Sequence, residues 1–235
     1  MYFQCMHGGD RMKAFRDVMR EFVFGMEDGL VSNLGLVLGV YVGGAGSSVI
    51  VLAGLASMFA GAFSMSAGSY LSSKSQREVY EHEIHTAKKE LKRNPKKHLR
   101  EMKKILKKEK FDDDEVNAML YHFQHHSHHT FVTNYIQKKV GLFEERFDHP
   151  GRSAFTMFFS FLIGSLFPVM PFVFLSNSHA AVLAMILTIV ALLSVGLAKA
   201  HYTHRNWCKS GLEIVMVGIG AGIIGYVVGL LVGMV

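Results

Sequence analysis

Residues 214–235 read IVMVGIGAGIIGYVVGLLVGMV, with no charged residue anywhere in the run. A β-strand ends after about half that length. A helix on the surface of a soluble core keeps a polar face, and this segment has none. About 20 apolar helical residues cross a hydrocarbon layer about 30 Å thick, so the segment reads as a membrane span. Gly225, Gly229 and Gly233 recur within it at every fourth position. That spacing lets two helices approach closely inside a membrane, within one subunit or between two.

Outward from this stretch, four further apolar blocks have the same length. The spans are expected at about 22–44, 47–71, 153–175, 180–199 and 211–234. Half of the 235 residues are hydrophobic, with 23 Gly and 18 Phe but only 4 Pro. Their concentration into blocks argues against a large soluble core. The N-terminal stretch HGGDRMKAFRDVMR is polar and basic and shows no cleavable leader pattern. The expected fold is all-α: a polytopic membrane protein with five transmembrane helices and a three-helix cytosolic domain inserted between helices two and three. The expected divisions are residues 1–71 with spans one and two, the helical insert 72–152, and residues 153–235 with spans three to five.

Charge sets the expected orientation. Arg11, Lys13, Arg16 and Arg20 precede the first span, eighteen basic residues lie between Lys74 and Arg152, and three lie between Lys199 and Lys209. The loops VGGAGSS and SNSHAA carry none. Five spans put every basic residue on one side, which the positive-inside rule makes the cytosol. The N-terminus is then cytosolic and the C-terminus lies on the opposite side. Cys5 and Cys208 both fall on the cytosolic side, where a structural disulfide is not expected. Basic residues beside spans set orientation and touch anionic lipid, so membrane lipid rather than nucleic acid is the expected partner.

The insert shows three helix starts. A first helix continues span two and stops at Asn94-Pro95, itself a start signal with Asn as N-cap and Pro at the first position. DDDE at 112–115 places acids on a third helix's N-terminus. Glu78, Glu81, His82 and His85 share one helix face, His98, Glu101 and Met102 repeat the pattern, and His122, His126 and His129 form a stripe. Carboxylate with imidazole suits Fe²⁺, Mn²⁺ or Zn²⁺. The competing reading of each is a solvated helix face.

Ionisable residues inside a span are costly and are functional candidates. Glu21 and Asp28 are seven apart and share a face; Glu27 is turned about 100° from Asp28. Glu213 opens the last span as an interfacial acid. Span two carries Met58 and Met65 on one face with Ser57 and Ser64 beside them, and a thioether favours transition metals. Ala56, Ala60, Gly61 and Ser64 would let another helix close in. Gly35, Gly39 and Gly43 repeat the small-residue spacing in span one, and Pro168 and Pro171 are expected to kink span three.

FGMEDGLVSNLGLVLGV at 24–40 and GLASMFAGAFSMSAGSYLSSKSQREVYEHEI at 54–84, with a helical insert before three more spans, resemble the vacuolar iron transporter family over nearly the whole chain. The resemblance implies a five-span dimer that moves Fe²⁺, often also Mn²⁺, out of the cytosol in exchange for protons. It implies a path lined by Glu21, Asp28 and Met65, and a cytosolic domain that collects metal. The acid expected eight residues before Met65 falls on Ser57 and is missing. The cytosolic glutamates keep Glu90 and Glu101, whereas two others become Ala87 and His98, and the acid before span three becomes Lys139. Methionines just ahead of that acid become Tyr135 and Ile136.

The expected function is thus a divalent-metal/proton antiporter in a bacterial inner membrane or a eukaryotic vacuolar membrane. Its expected partners are a second copy of the chain, metal ions and protons, with no permanently bound cofactor and Zn²⁺ as a further ion for the insert. Asp28 would exchange proton for metal, Glu21 would relay from the cytosol, and Glu27 would neighbour the path. The rivals are a non-transporting metal sensor or storage module, and a scaffold whose basic domain docks lipid or protein. No nucleophile–base arrangement or phosphate-binding loop points to an enzyme.

Overall fold

The computed structural model describes residues 2–125, 135, 138, 149–175, 177–203 and 206–234, with side chains from residue 18 onward except at 91–92, 123–125, 177 and 202–203. Its helices are α1 (Tyr2–Val42), α2 (Ser47–Arg93), α3 (Pro95–Lys108), α4 (Asp113–His125), α5 (Pro150–Val169), α6 (Pro171–Phe174), α7 (Asn177–Thr203) and α8 (Trp207–Gly233). No strand occurs among the described residues. Five segments are long and apolar enough to cross a membrane: Val18–Val42, Ser47–Glu90, Pro150–Val169, Ser178–His201 and Trp207–Gly233. The count meets the expectation and the edges move. The first begins at Val18, inside a helix already running from Tyr2. The third, expected to reach 175, stops at Val169. Pro171 has no N–H and its ring collides with the carbonyl four residues back, so the chain restarts there as the four-residue α6.

The chain forms two compact units, residues 1–71 with 148–235, and residues 72–147. In the first, α1 packs on α5 and α8 through small residues. A Cβ on Gly29 would sit 2.5 Å from the Phe161 carbonyl oxygen, and one on Gly164 would sit 2.5 Å from that of Met26. Farther along, a Cβ on Gly225 would lie 2.1 Å from the Gly35 oxygen, and one on Gly229 would lie 2.3 Å from that of Gly39. The fourfold-spaced glycines of spans one and five therefore face each other within one chain. Two apolar clusters fill the gaps: Leu34, Val37, Leu38, Ile50, Val169 and Phe172 with alanines of α7, and Met26, Leu30, Leu192, Val195 and Ile214. Large apolar side chains cover the outside, among them Leu52, Phe63, Ile224 and Val232, as lipid-facing helices require. Gly44, at φ 85°, turns α1 into α2 with a conformation that a side chain would strain.

The second unit has its own core of Tyr80, Met102, Leu106, Val116 and Tyr135, with Ile84, Ala87, Leu99 and Phe111 against it. Asn94 and Pro95 start α3 as expected, but the Asn94 side chain makes no capping bond; its backbone oxygen accepts from Lys97 N at 3.1 Å. Asp112 and Glu115 form a capping box at α4: Glu115 N donates to Asp112 Oδ1 at 2.7 Å, and Asp112 N to Glu115 Oε2 at 3.1 Å. Lys107, hydrogen-bonded to Asp113 with its Nζ 2.7 Å from Oδ1, holds that carboxyl below the usual range.

Candidate functional site

Glu21 is only 7% exposed. Arg20 donates to its Oε1 through Nη2 at 2.7 Å and Nε at 3.3 Å, and Ser69 of α2 donates to Oε2 at 3.2 Å. Both carboxylate oxygens are thus engaged near one end of the first span. Seven residues on, and about 10 Å along the axis, Asp28 is half-buried, as is Glu27. Among the described residues neither carboxylate has a hydrogen bond or ion pair. Lys199, late in α7, is the cation whose field reaches Glu27. Ser32, one turn beyond, spends its hydroxyl on the Asp28 backbone oxygen at 2.5 Å.

Two contacts fix the register of α2 against α1. Ser69 meets Glu21, and a Cβ on Gly54 would lie 3.4 Å from Val37 Cγ1. The helices are antiparallel, so equal rises place Met65 at the depth of Gly25, about one turn from Asp28, and Ser57 at the depth of Asn33 and Leu34. Met65 and Ser57 are half-buried; Met58 is buried. Of the small residues expected to admit another helix, Gly61 does so, a Cβ there lying 2.5 Å from the Phe161 ring. Ala56, Ala60 and Ser64 are exposed instead. Glu213 is exposed at the start of the last span. A cavity of about 360 Å³ among Leu34, Leu38, Tyr41, Met185, Gly222 and Tyr226 touches none of the acids.

The second unit separates its candidates. Glu78 and Glu81 are exposed and paired along α2, with Lys74 at 3.7 Å and Arg77 at 2.9 Å. His82, His85 and Glu90 are also exposed. His98 turns the other way: it is 2% exposed, in the same buried stripe as Met102 and Leu106. A solvated face was the competing reading for this group; His98 and Met102 are buried instead, while Glu101 is partly exposed. His98 Nδ1 lies 2.9 Å from the Tyr135 hydroxyl oxygen. Tyr135 donates its proton to Glu101 Oε2, which leaves the phenol oxygen to accept from an Nδ1–H. Ala87, His98 and Tyr135, three positions in the second unit that depart from the ligand pattern the resemblance implies, thus gather in and around one core. No three His, Cys, Asp or Glu side chains among the described residues converge on a common point that could hold an ion. His122 is exposed; His126, His129, Ile136 and Lys139 lie outside the described residues, as does the Cys5 side chain. Cys208 is an exposed free thiol.

Sequence reasoning passed over Asn33, Ser165 and Thr188. Asn33 is fully buried, and its Nδ2 donates to Ser165 Oγ at 2.8 Å and to the Gly29 oxygen at 3.3 Å. Ser165 sends its own proton to the Phe161 oxygen at 2.7 Å. Polar residues in apolar spans were the available signal, since each must find partners there.

The comparisons with known proteins follow this geometry. Residues 19–230 match the VIT family. Vacuolar iron transporter 1 of Eucalyptus grandis is 31% identical over 207 residues, which span 86% of this chain and 81% of that protein. Vacuolar iron transporter 1 of Arabidopsis thaliana is 28% identical over the same shares. Vacuolar iron transporter of Plasmodium falciparum is 22% identical over 231 residues, 94% of this chain and 84% of the relative. Five apolar helices, an acid pair held within the first and a match across nearly the whole length lead to one conclusion: the chain belongs to the VIT family.

Proposed function

We propose that the chain exports Fe²⁺ from the cytosol in exchange for protons, with Mn²⁺ as a second cargo, and works as a homodimer. One observation carries the reading most directly. Asp28 sits half-buried in an apolar span, beside Glu27, with no protein group bonded to its carboxylate among the described residues. Such a group favours binding a proton or a metal ion in turn. Glu21, held by Arg20 and Ser69, lies two turns closer to the basic N-terminus and suits a cytosolic entry relay. Met65, about one turn from Asp28 in depth, supplies a soft donor that favours transition metals. The N-terminus and the unit at 72–147 are assigned to the cytosolic side by their basic residues, and the C-terminus to the opposite side. The membrane is a bacterial inner membrane or a vacuolar one.

The glycine faces of α1 and α8 are occupied by each other. The dimer surface is therefore assigned to the outward side of α2, where Ala56, Ala60 and Ser64 run beside Phe59 and Phe63. Glu78, Glu81, His82 and His85 serve as a weak collecting face for divalent cations, Zn²⁺ among them, since exposed charges bind loosely. Glu90, His98 and Glu101 contribute less: Glu90 has no ion pair among the described residues, and the other two are bonded to Tyr135.

Fe²⁺ uptake into sealed proteoliposomes under a pH gradient tests the reading. Wild-type uptake should depend on the gradient and vanish in Asp28→Ala. Undiminished uptake by Asp28→Ala would sink the mechanism, and binding without flux would favour a sensor or storage module.

A further inference from the structure

The cavity over Leu34 and Leu38 is a groove between α7 and α8. Those two helices touch toward the basic end of the spans. A Cβ on Gly196 would lie 2.8 Å from Gly211 Cα, and one on Gly218 would lie 2.3 Å from Leu192 Cδ1. One turn farther along α8, a Cβ on Gly222 would meet Leu38 at 3.6 Å and Leu34 at 3.9 Å, both of α1, and nothing of α7 within 4 Å. The helices therefore splay, and α1 closes the bottom of the gap. Leu34 and Leu38 make a buried floor, while Met185 and Ile189 on one wall and Ile219 and Ile223 on the other are exposed.

The dimensions select an occupant. The lining runs from Leu192 to Ala181 on α7 and from Gly218 to Tyr226 on α8, about 12–16 Å at 1.5 Å per residue. That is about one leaflet of a hydrocarbon layer about 30 Å thick. A volume of about 360 Å³ over that length leaves a section of about 22–30 Å². A helix about 10 Å across needs about 80 Å², so a span of a second copy does not enter, whereas one hydrocarbon chain does. The lining is apolar except for two tyrosines, so water finds too few partners to stay. Tyr41 stands one residue before the end of α1, and Tyr226 closes the α8 wall, both away from the basic end. Neither hydroxyl has a hydrogen-bond partner among the described residues. Tyrosines at such a level sit where headgroups meet hydrocarbon.

We propose that this groove binds one acyl chain of a membrane phospholipid from the leaflet opposite the basic end, with the ester oxygens of that lipid accepting from Tyr41 and Tyr226. The inference rests on the spans and not on the identity of the cargo. A chain in the groove restores the dispersion contacts that an empty slot forfeits along Leu34 and Leu38. Ester carbonyls satisfy the hydroxyls, which hydrocarbon does not. The lipid wedges α7 and α8 apart over α1, so its binding stabilises the fold by mass action. Chain and ester carry the recognition, and headgroup charge does not.

The experiment uses the full chain purified in a bile-salt detergent, which lacks a linear tail, and titrated with palmitoyl-oleoyl phosphatidylcholine. Native mass spectrometry counts lipid per chain, and the unfolding midpoint follows the effect. Wild type should take up one lipid per chain, saturably, with a rising midpoint, and phosphatidylglycerol with the same chains should bind alike. Gly222→Leu fills the slot, since its Cβ makes only ordinary contacts; it should lose the lipid, and its midpoint should not respond. Gly220→Leu adds the same side chain on the same helix, where a Cβ meets nothing within 4 Å, and should bind as wild type does. Tyr41→Phe combined with Tyr226→Phe should weaken binding about tenfold, which is about 1.4 kcal/mol. If Gly222→Leu fails to fold, the wild-type stoichiometry and the tyrosine pair decide. Lipid bound in no fixed ratio, lipid retained by Gly222→Leu, or unchanged affinity in the tyrosine pair overturns the proposal. A dimer lost in Gly222→Leu with its lipid retained assigns the groove to a second copy and overturns it as well.

Discussion

Replacing Gly225 by alanine tests the contact between α1 and α8 at its tightest point. The new Cβ would lie 2.1 Å from the Gly35 carbonyl oxygen. That atom is backbone and cannot swing aside, so reaching ordinary contact at 3.4 Å requires the helices to part by about 1.3 Å. A gap of about half that size already forfeits a quarter to a half of each dispersion contact along the seam. Overpacking of this kind costs about 1–3 kcal/mol. Alanine is also the better helix former by about 1 kcal/mol in water, which opposes the loss. Gly220→Ala isolates that second effect, because a Cβ there meets nothing within 4 Å. The propensity gain is common to both variants, so they should differ by the overpacking cost alone, about 1–3 kcal/mol. The readout is the unfolding midpoint in detergent, followed by the single tryptophan, Trp207, on the same helix. Since the seam lies within one chain, oligomeric state should not change. A Gly225→Ala midpoint equal to or above that of Gly220→Ala would refute the reasoning.

Two further outcomes concern the second unit. Tyr135→Phe removes the hydroxyl between His98 and Glu101 and strands a buried imidazole donor, at a cost of about 1–3 kcal/mol; limited proteolysis should cut within 72–147 faster, and unchanged protection would count against the network. Glu115→Ala removes one arm of the capping box on α4, worth about 0.5–2 kcal/mol; amide exchange across 113–117 should quicken while the α3 amides stay as they are.

Much of the fold was legible because a span announces itself by length alone. Residues 214–235 needed no partner to be read as one. The acids of the first span were legible for the same reason: Asp28 is conspicuous where charge is costly. What periodicity could not supply was the identity of a helix's neighbour. The glycines at 35, 39, 225 and 229 were visible as contact surfaces, yet nothing in their spacing says that they meet one another. Ala56, Ala60 and Ser64 share that spacing and are exposed. In α3 the sequence grouped His98 and Met102 with Glu101 as ligand candidates, whereas His98, Met102 and Leu106, at fourfold spacing, mark the buried face. Asn33 escaped notice because an amide carries no charge. Its bond to Ser165, which sends its own proton to Phe161, is a fact available only in three dimensions.

The glycine seam has a mechanical consequence. Where backbone rests on backbone, no side chain is left to change rotamer and absorb a displacement. The α1 and α8 rods, and α5 at Gly29 and Gly164, are in effect welded into one stiff frame that holds Asp28 fixed. Of the elements bearing the named path residues, α2 is the least embedded, with only 22% of its membrane window buried. On the proposed export reading, a stroke that carries an ion past Asp28 would fall to α2, with Met65 and Ser57 on the moving part and the carboxylate on the anvil.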